Sequence, residues 1–471
     1  MRSDRATRRS RVCATLGAML LLGTWTQGQT QSSGGPDLQQ LKEKLQHLDQ
    51  EMQELKGQIS AIEKAQPATT VTTPPATPGG AEAEKPAKPE AASKSTIDLY
   101  GFVMLDSGYD FKTNNPDWFD VVRPTQLPSV QGEFAPDGKV YFGVRQTRFG
   151  VKTLTPTKYG DLKTVFEFEL FGTGVDAGQT TFRLRHAYGE LGQIGAGQTW
   201  SPFMDIDVFP NSIEYWGPNG MVFFRNVQVR WMPIRTDRLQ LTFAAERPGA
   251  SADQGVYAGR IELQGIQSKF DMPDFSWQVR MNRDWGHLQL AGIFRKITWV
   301  DSNGDALHLG DTVLGWGVNL TSNVNLGKKN VGRFAVVYGA GIENYMNDAP
   351  IDVGVKNNPQ NPVKPVVGVA LPVLGIVSFI DHNWSNRFST SIGYSMVNIE
   401  NSNAESASDF HQGHYALTNL LYHPIPRVTI GSEFQFGRRV NFDDGFNVND
   451  YRLQFSFKYD WSKTFALGGG S

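Results

Sequence analysis

From Thr96 to Trp461 the chain is written in short runs in which apolar and polar residues alternate with a period of two, the mark of half-buried β-strands. Sixteen such runs can be traced, from TIDLYGFVMLDSGY and KVYFGVRQTRFGVKT through LKTVFEFELFG and TFRLRHAYGEL to RVTIGSEFQFGRR and YRLQFSFKYDW. The connections alternate too. Short ones such as LTPTKYGD, PIRTD, RDWG, GKKN and PIPR take turns with long ones, among them 112–138, 201–222 and 347–374. A soluble sandwich has no reason to gather its long loops at one end. An outer-membrane barrel does, with tight periplasmic turns, long external loops and an even strand count that returns both chain ends to one side. The expected fold class is all-β: a 16-stranded antiparallel transmembrane β-barrel.

The two faces of the runs decide the medium. VRQTRFGVKT sets Phe149 and Val151 against Gln146, Arg148 and Lys152, and NVQVRW sets Val227, Val229 and Trp231 against Asn226, Gln228 and Arg230. FSWQVRMN separates Phe275, Trp277, Val279 and Met281 from Ser276, Gln278, Arg280 and Asn282. The apolar faces are large, aromatic and nearly uncharged; lipid can receive them only if every backbone group pairs within a closed barrel. In TFRLRHAYGEL, Phe182, Leu184 and Tyr188 form the apolar face, with Arg183 and Arg185 opposite. Turning both arginines to lipid at mid-bilayer would cost about 4–8 kcal/mol, so they are expected to face the lumen.

Upstream of the strands the pattern changes. Leu38, Leu45, Met52 and Ile59 fall at heptad position a, and Leu41, Leu48, Leu55 and Ile62 at d, which predicts a short coiled-coil helix over 37–65. On parallel neighbours Lys44 would meet Asp49 and Glu51 would meet Lys56, and the closing Ile59/Ile62 layer favours three helices over two. Residues 66–95, rich in Pro and Ala, cannot bury a core and are expected to form a disordered tether. Ahead of both, Arg2, Arg5, Arg8, Arg9 and Arg11 precede the apolar stretch from Val12 to Trp25, predicting a signal peptide over 1–28. The single cysteine, Cys13, lies within it, so the mature chain has no thiol for disulfides, thiolate metal sites or nucleophilic catalysis. A formal charge of -2 argues against a nucleic-acid partner.

The ordered set VRQTRFGVKT, GDLKTVFEFELFG and TFRLRHAYGELGQIGAGQTWSPF resembles trimeric bacterial porins, in which comparable strands precede a third loop that folds back into the pore. With the heptads, the tether and LTNLLYHPIPRVTIGSEFQFGRR added, essentially the whole mature chain resembles the DcaP-like outer-membrane porins. The resemblance implies a homotrimeric barrel in the bacterial outer membrane, in contact with lipid and lipopolysaccharide and carrying its stalk in the periplasm. It implies passage of small anionic solutes such as dicarboxylates, with no cofactor and no metal. The C-terminus departs from the pattern. Such barrels usually end on an aromatic residue, whereas Phe465 is followed by ALGGGS, so the barrel is placed at 96–465 and a tail at 466–471.

With that loop folded inward, SPFMDIDVFPNSIEYWGPNGM would narrow the lumen and bring Asp205, Asp207 and Glu214 near or above the constriction. The facing wall would carry Arg148, Lys152, Arg183, Arg185, Arg230 and Arg280, with Arg295 and Arg452 as further candidates. Guanidinium forks accept carboxylates bidentately, and several in series pass a solute on without trapping it. Inward Glu167 and Glu169 oppose strong anion selectivity. Two other readings stay open: an envelope-spanning structural protein with an incidental pore, and a carbohydrate- or phosphate-selective porin. The histidines, such as His186, His411 and His414, show no spacing that suggests a catalytic group, and the chain is not expected to be an enzyme.

Overall fold

The computed structural model describes residues 94–467. The expected signal (1–28), the heptad segment (37–65), nearly all of the tether and residues 468–471 lie outside the described residues.

Each of the sixteen alternating runs becomes one strand of a closed antiparallel barrel. β1 is Thr96–Asp110, and β2 has two segments, Lys139–Gly143 and Arg148–Thr157, both paired with β1. β3 to β7 follow as Gly160–Phe171, Thr180–Leu191, Ile194–Trp200, Arg225–Arg235 and Leu239–Glu246. β8 is again interrupted, Ile266–Lys269 and Asp274–Arg283, and both pieces pair with β9, Gly286–Asp301. β10 to β13 are Asp311–Leu326, Asn330–Ala340, Pro372–Asn383 and Phe388–Ile399; β14 to β16 are Phe410–Tyr422, Val428–Asn441 and Asn447–Ala466. Pairing of β16 with β1, from Thr96↔Ala466 to Asp110↔Arg452, closes the ring and leaves no free edge.

The connections at one end of the barrel are L1 (111–138), L2 (172–179), L3 (201–224), L4 (247–265), L5 (302–310), L6 (341–371), L7 (400–409) and a short L8 (442–446). Turns of two to five residues join the strands at the other end. One element has no counterpart in the sequence pattern: L6 contains a small hairpin, Val353–Asn357 with Val366–Ala370.

The alternation translates directly into exposure. Val229 is 57% exposed on the outer wall, while its neighbour Gln228 is 3% exposed on the inner wall. Phe182 is 80% exposed and Arg185 4%. Tyr188 is a correction to the expected outward face. The β3–β4 ladder slips between Glu167 and Phe168, so Glu167 opposes His186 while Phe168 opposes Leu184. This bulge leaves Arg185 unpaired, inserts one residue and reverses the phase. Tyr188 then pairs with Val165 and turns inward, where its hydroxyl reaches Glu190 and Arg230 packs over its ring.

Part of the inner wall is apolar. Ala291 and Ile293 of β9, Val337 of β11, Val373, Val377 and Phe379 of β12, and Tyr415 and Leu417 of β14 are buried inside the barrel by Phe203, Met204, Val208, Met221 and Val222 of L3. L3 therefore lies flat on the wall. At Gly220 a Cβ would meet the Met396 carbonyl oxygen at 2.0 Å, and at Gly375 one would meet the Gly220 carbonyl oxygen at 2.1 Å. Only glycine permits this approach of loop to sheet. The wall of β2, β3, β4 and β6 keeps a group of charged side chains.

Candidate pore constriction

Asp205 anchors the entry of L3 at β8 to β10. One carboxylate oxygen accepts from Arg280 Nη1 at 3.1 Å, and the other accepts from Thr321 Oγ1 at 2.7 Å and meets His287 Nε2 at 2.6 Å. Asp207 pairs with the second Arg280 nitrogen, and its backbone carbonyl accepts from Asn323 and Arg333. The spacing of Asp205, Asp207 and His287 would suit a cation, but the Arg280 guanidinium already joins the two aspartates. Farther along, Asn211 N donates to Asp381 at 3.3 Å and Ile213 N to Glu433 at 3.0 Å. The Ile213 carbonyl accepts from Gln146, in the interruption of β2, and from Gln454 on β16. The loop thus crosses the lumen wall from β8 to β2 and ends its inward course on β3.

Glu214 and Tyr215 make that last contact. Glu214 accepts the backbone N–H groups of Val122 and Gly217. Burial pushes its carboxyl up to about 8, and the charge of Glu433 pushes in the same direction, which favours the protonated form. Tyr215 stacks on Phe171 with ring centroids 3.9 Å apart, and its hydroxyl donates to Glu169. Beside it, Arg123 of L1 packs against the rings of Trp118 and Trp216, which meet edge to face, and pairs with Asp348 of L6 at 2.9 Å.

The loop acids expected near or above the constriction are all engaged by these contacts. Asp205 and Glu214 are buried and bonded, and Asp207, half-buried, is held by Arg280. The reason is energetic: a carboxylate carried to the inner wall by a buried loop is costly unless it is paired or protonated.

Glu167 and Glu169, adjacent on the inner face of β3, gather the arginines instead. Arg185 Nε donates to Glu167 and its Nη1 to Glu169, both at 2.6 Å. Arg148 lies 3.7 Å from Glu167 and 3.3 Å from Glu169; Arg183 and Arg225 lie 3.6 and 3.7 Å from Glu169. Tyr100 donates its hydroxyl to Glu167 at 2.7 Å. Four guanidiniums around two carboxylates leave a local charge of +2. Arg148 and Arg183 keep part of their side chains exposed, while Arg185 and Arg225 are buried behind them.

The remaining expected residues sit apart. Lys152 is exposed towards the turn end of β2, with its ammonium 5.0 Å from the Tyr100 ring centroid. Arg230 donates to Gln228 and to the Trp200 carbonyl. Arg280 is bound to L3. Arg295 and Arg452 are wall staples: Arg295 joins Asp274 and Asp352 at 3.0 and 2.8 Å, and Arg452 pairs with Asp110. Arg225 escapes the sequence pattern because strict alternation puts it on the face of Val227 and Val229. At the first position of β6, beside the neck of L3, its side chain turns to Glu169 instead.

The family model described as "DcaP outer membrane protein" matches residues 37–460. No curated protein matches the chain. Among solved structures, the outer membrane channel DcaP of Acinetobacter baumannii is 20% identical with a TM-score of 0.64, covering 80% of this chain and 100% of its own. At that identity the likeness shows the fold. An anion-selective porin from Comamonas acidovorans is 11% identical, TM-score 0.49, covering 78% of this chain and 100% of its own. The trimer form of OmpT from Vibrio cholerae is 12% identical, TM-score 0.48, with the same coverages of 78% and 100%.

Proposed function

The chain belongs to the DcaP outer membrane protein family and is an outer-membrane porin, and from that premise we propose that it favours small anionic solutes, dicarboxylates among them. The observation that carries this reading is the +2 cluster on β2, β3, β4 and β6, with Arg148 and Arg183 at its exposed edge. Glu167 and Glu169 are not free negative charges opposing the solute. They are counter-ions that hold four guanidiniums together at a density mutual repulsion would otherwise forbid. A carboxylate arriving from the lumen meets Arg148 and Arg183 with donors to spare; because Glu169 still competes for both, the solute is held briefly and released. Lys152, on the turn side of Arg148, extends the positive path towards the periplasm.

The physiological unit in this reading is a homotrimer. The Leu38 to Ile62 heptads supply a parallel three-helix stalk in the periplasm, and the exposed apolar outer wall supplies lipid and subunit contacts, with lipopolysaccharide around the outer rim. The test is the reversal potential of the purified protein in planar bilayers under gradients of potassium chloride and of potassium dicarboxylates. A potential on the anion side supports the reading; a cation-side potential ends it.

A further inference from the structure

The outer wall has one step in it. Across β5, β6 and β7, Ala196, Val229 and Ala245 stand directly opposite one another on the outward face, a floor with little side-chain height. Two residues nearer the turns the same strands present Ile194, Trp231 and Phe243, the last two stacked with ring centroids 5.9 Å apart. β8 supplies the opposite side. Its ladder with β9 stops at Lys269 and resumes at Phe275, and Phe270 to Pro273 have only Lys296 and Ile297 to face. The surplus residues bulge outward, with Phe270 40% and Met272 37% exposed. Between this bulge and the floor runs an open groove of about 540 Å³, with Arg247 and Pro248 at its loop end. That volume falls within the range of small-ligand sites, roughly 300–1,000 Å³.

Charge fixes the level of the groove in the membrane. Lys296 Nζ lies 3.0 Å from Asp271, both side chains about one-third exposed on the outer side. Such a pair has no place in hydrocarbon and marks where the headgroups begin. Arg247, the first residue of L4, is exposed at the same end, and Lys269 is exposed two residues before Asp271. Neither forms an ion pair among the described residues. Three cations against one carboxylate leave +2 at the mouth of a groove that is apolar below. L4 is an external loop, so the mouth opens at the outer leaflet.

We propose that this groove holds an acyl chain of lipid A, the phosphorylated glycolipid of the outer leaflet, with a phosphate on Arg247 and Lys269. An acyl chain needs apolar length below and its headgroup needs cations above, and the groove offers both in that order. Basic side chains at the rim favour a phosphorylated headgroup over a neutral one. A neighbouring barrel presents a convex wall, which cannot follow the groove down between bulge and floor. The inference deepens the lipopolysaccharide contact proposed above by giving it a place, and it does not depend on the anion preference of the pore.

The test titrates lipid A into the delipidated full-length protein, reading bound lipid by native mass spectrometry and hydrogen exchange over residues 266–275. Lipid A is expected to bind and to slow exchange in that segment, and lipid A stripped of its phosphates to bind roughly tenfold more weakly. Arg247→Gln combined with Lys269→Gln should bind the two lipids equally. Ala245→Phe, which fills the floor, should lose the protection while the folded barrel keeps its heat-modifiable migration. If Ala245→Phe does not assemble, the comparison of the two lipids in the Arg247→Gln, Lys269→Gln variant decides. Bound lipid A that protects only other segments, or binds wild type and variants alike, overturns the groove and spares the lipopolysaccharide contact. No bound lipid A overturns both and leaves the anion preference to the reversal potential. Phosphatidylglycerol binding as tightly as lipid A assigns the groove to ordinary phospholipid, and slow exchange in lipid-free trimers assigns it to a second copy; either overturns the proposal.

Discussion

Arg185 Nη1 donates to Glu169 at 2.6 Å while its Nε holds Glu167 at the same distance, so one buried guanidinium binds both inward carboxylates of β3. Arg148, Arg183 and Arg225 gather around the pair it forms. Removing a charge from the centre should therefore change the field felt by every passing ion. Glu169→Gln raises the local charge from +2 to +3 while keeping a hydrogen-bond acceptor for Arg185 and Tyr215. The expected outcome is a reversal potential displaced further to the anion side. A shift towards cations would show that the cluster does not face the permeation path.

Replacing Arg183 and Arg185 together by Ala works in the opposite direction. The cluster falls from +2 to neutral, and anion preference should weaken towards none. Breaking buried ion pairs costs about 3–5 kcal/mol, yet the closed ladder of sixteen strands does not depend on them. The variant should still show heat-modifiable migration on gels, as folded barrels do. Unchanged selectivity in a folded variant would remove both residues from the constriction.

Glu214 makes docking of L3 depend on pH. Burial raises its carboxyl from 4.5 to about 8, so the docked loop binds one more proton than the released loop between those values. The stabilisation is fully present below about 4.5, declines as pH rises and is lost above about 8. Channel noise from loop motion should grow between pH 5 and pH 8.5 in single-channel records. Glu214→Gln, neutral throughout, should hold the low-pH behaviour across the range; a wild-type slope that survives in Glu214→Gln assigns the effect to another group.

Asp205 is the anchor at the other end of the loop. Asp205→Asn leaves Arg280 and His287 without their shared carboxylate and replaces a charge-assisted bond by a neutral one. The entry of L3 should loosen, seen as faster protease cleavage within 201–224 and larger, less uniform conductance steps. A rigid loop in this variant would transfer the anchoring role to the apolar packing of Phe203 and Met204.

The residues themselves carried the barrel in plain view. A period of two over sixteen runs, large aromatic outer faces and the long-short rhythm of connections follow from two constraints, lipid outside and no unpaired backbone, and both act on each strand separately. A local constraint leaves a local trace, and sixteen strands closing on themselves is its consequence. The inward direction of Arg148, Arg183 and Arg185 belonged to the same alternation.

What the alternation could not carry is whatever depends on chain segments far apart meeting inside the barrel. A single-residue slip opposite Glu167 turned Tyr188 inward, and the neck of L3 drew Arg225 off the face its parity assigned. The apolar inner wall of β9 to β14 was not read from the alternation, and only the path of L3 says what covers it. The loop acids were expected near or above the constriction; on the wall, Asp205 and Asp207 are bound to Arg280 and Glu214 to backbone N–H groups. Glu167 and Glu169, taken in sequence as opponents of the arginines, became their centre. Sign and spacing of charges can be read along a strand, but which charges share one site, and which are spent on holding the wall, is decided where β3, β4, β6 and L3 converge.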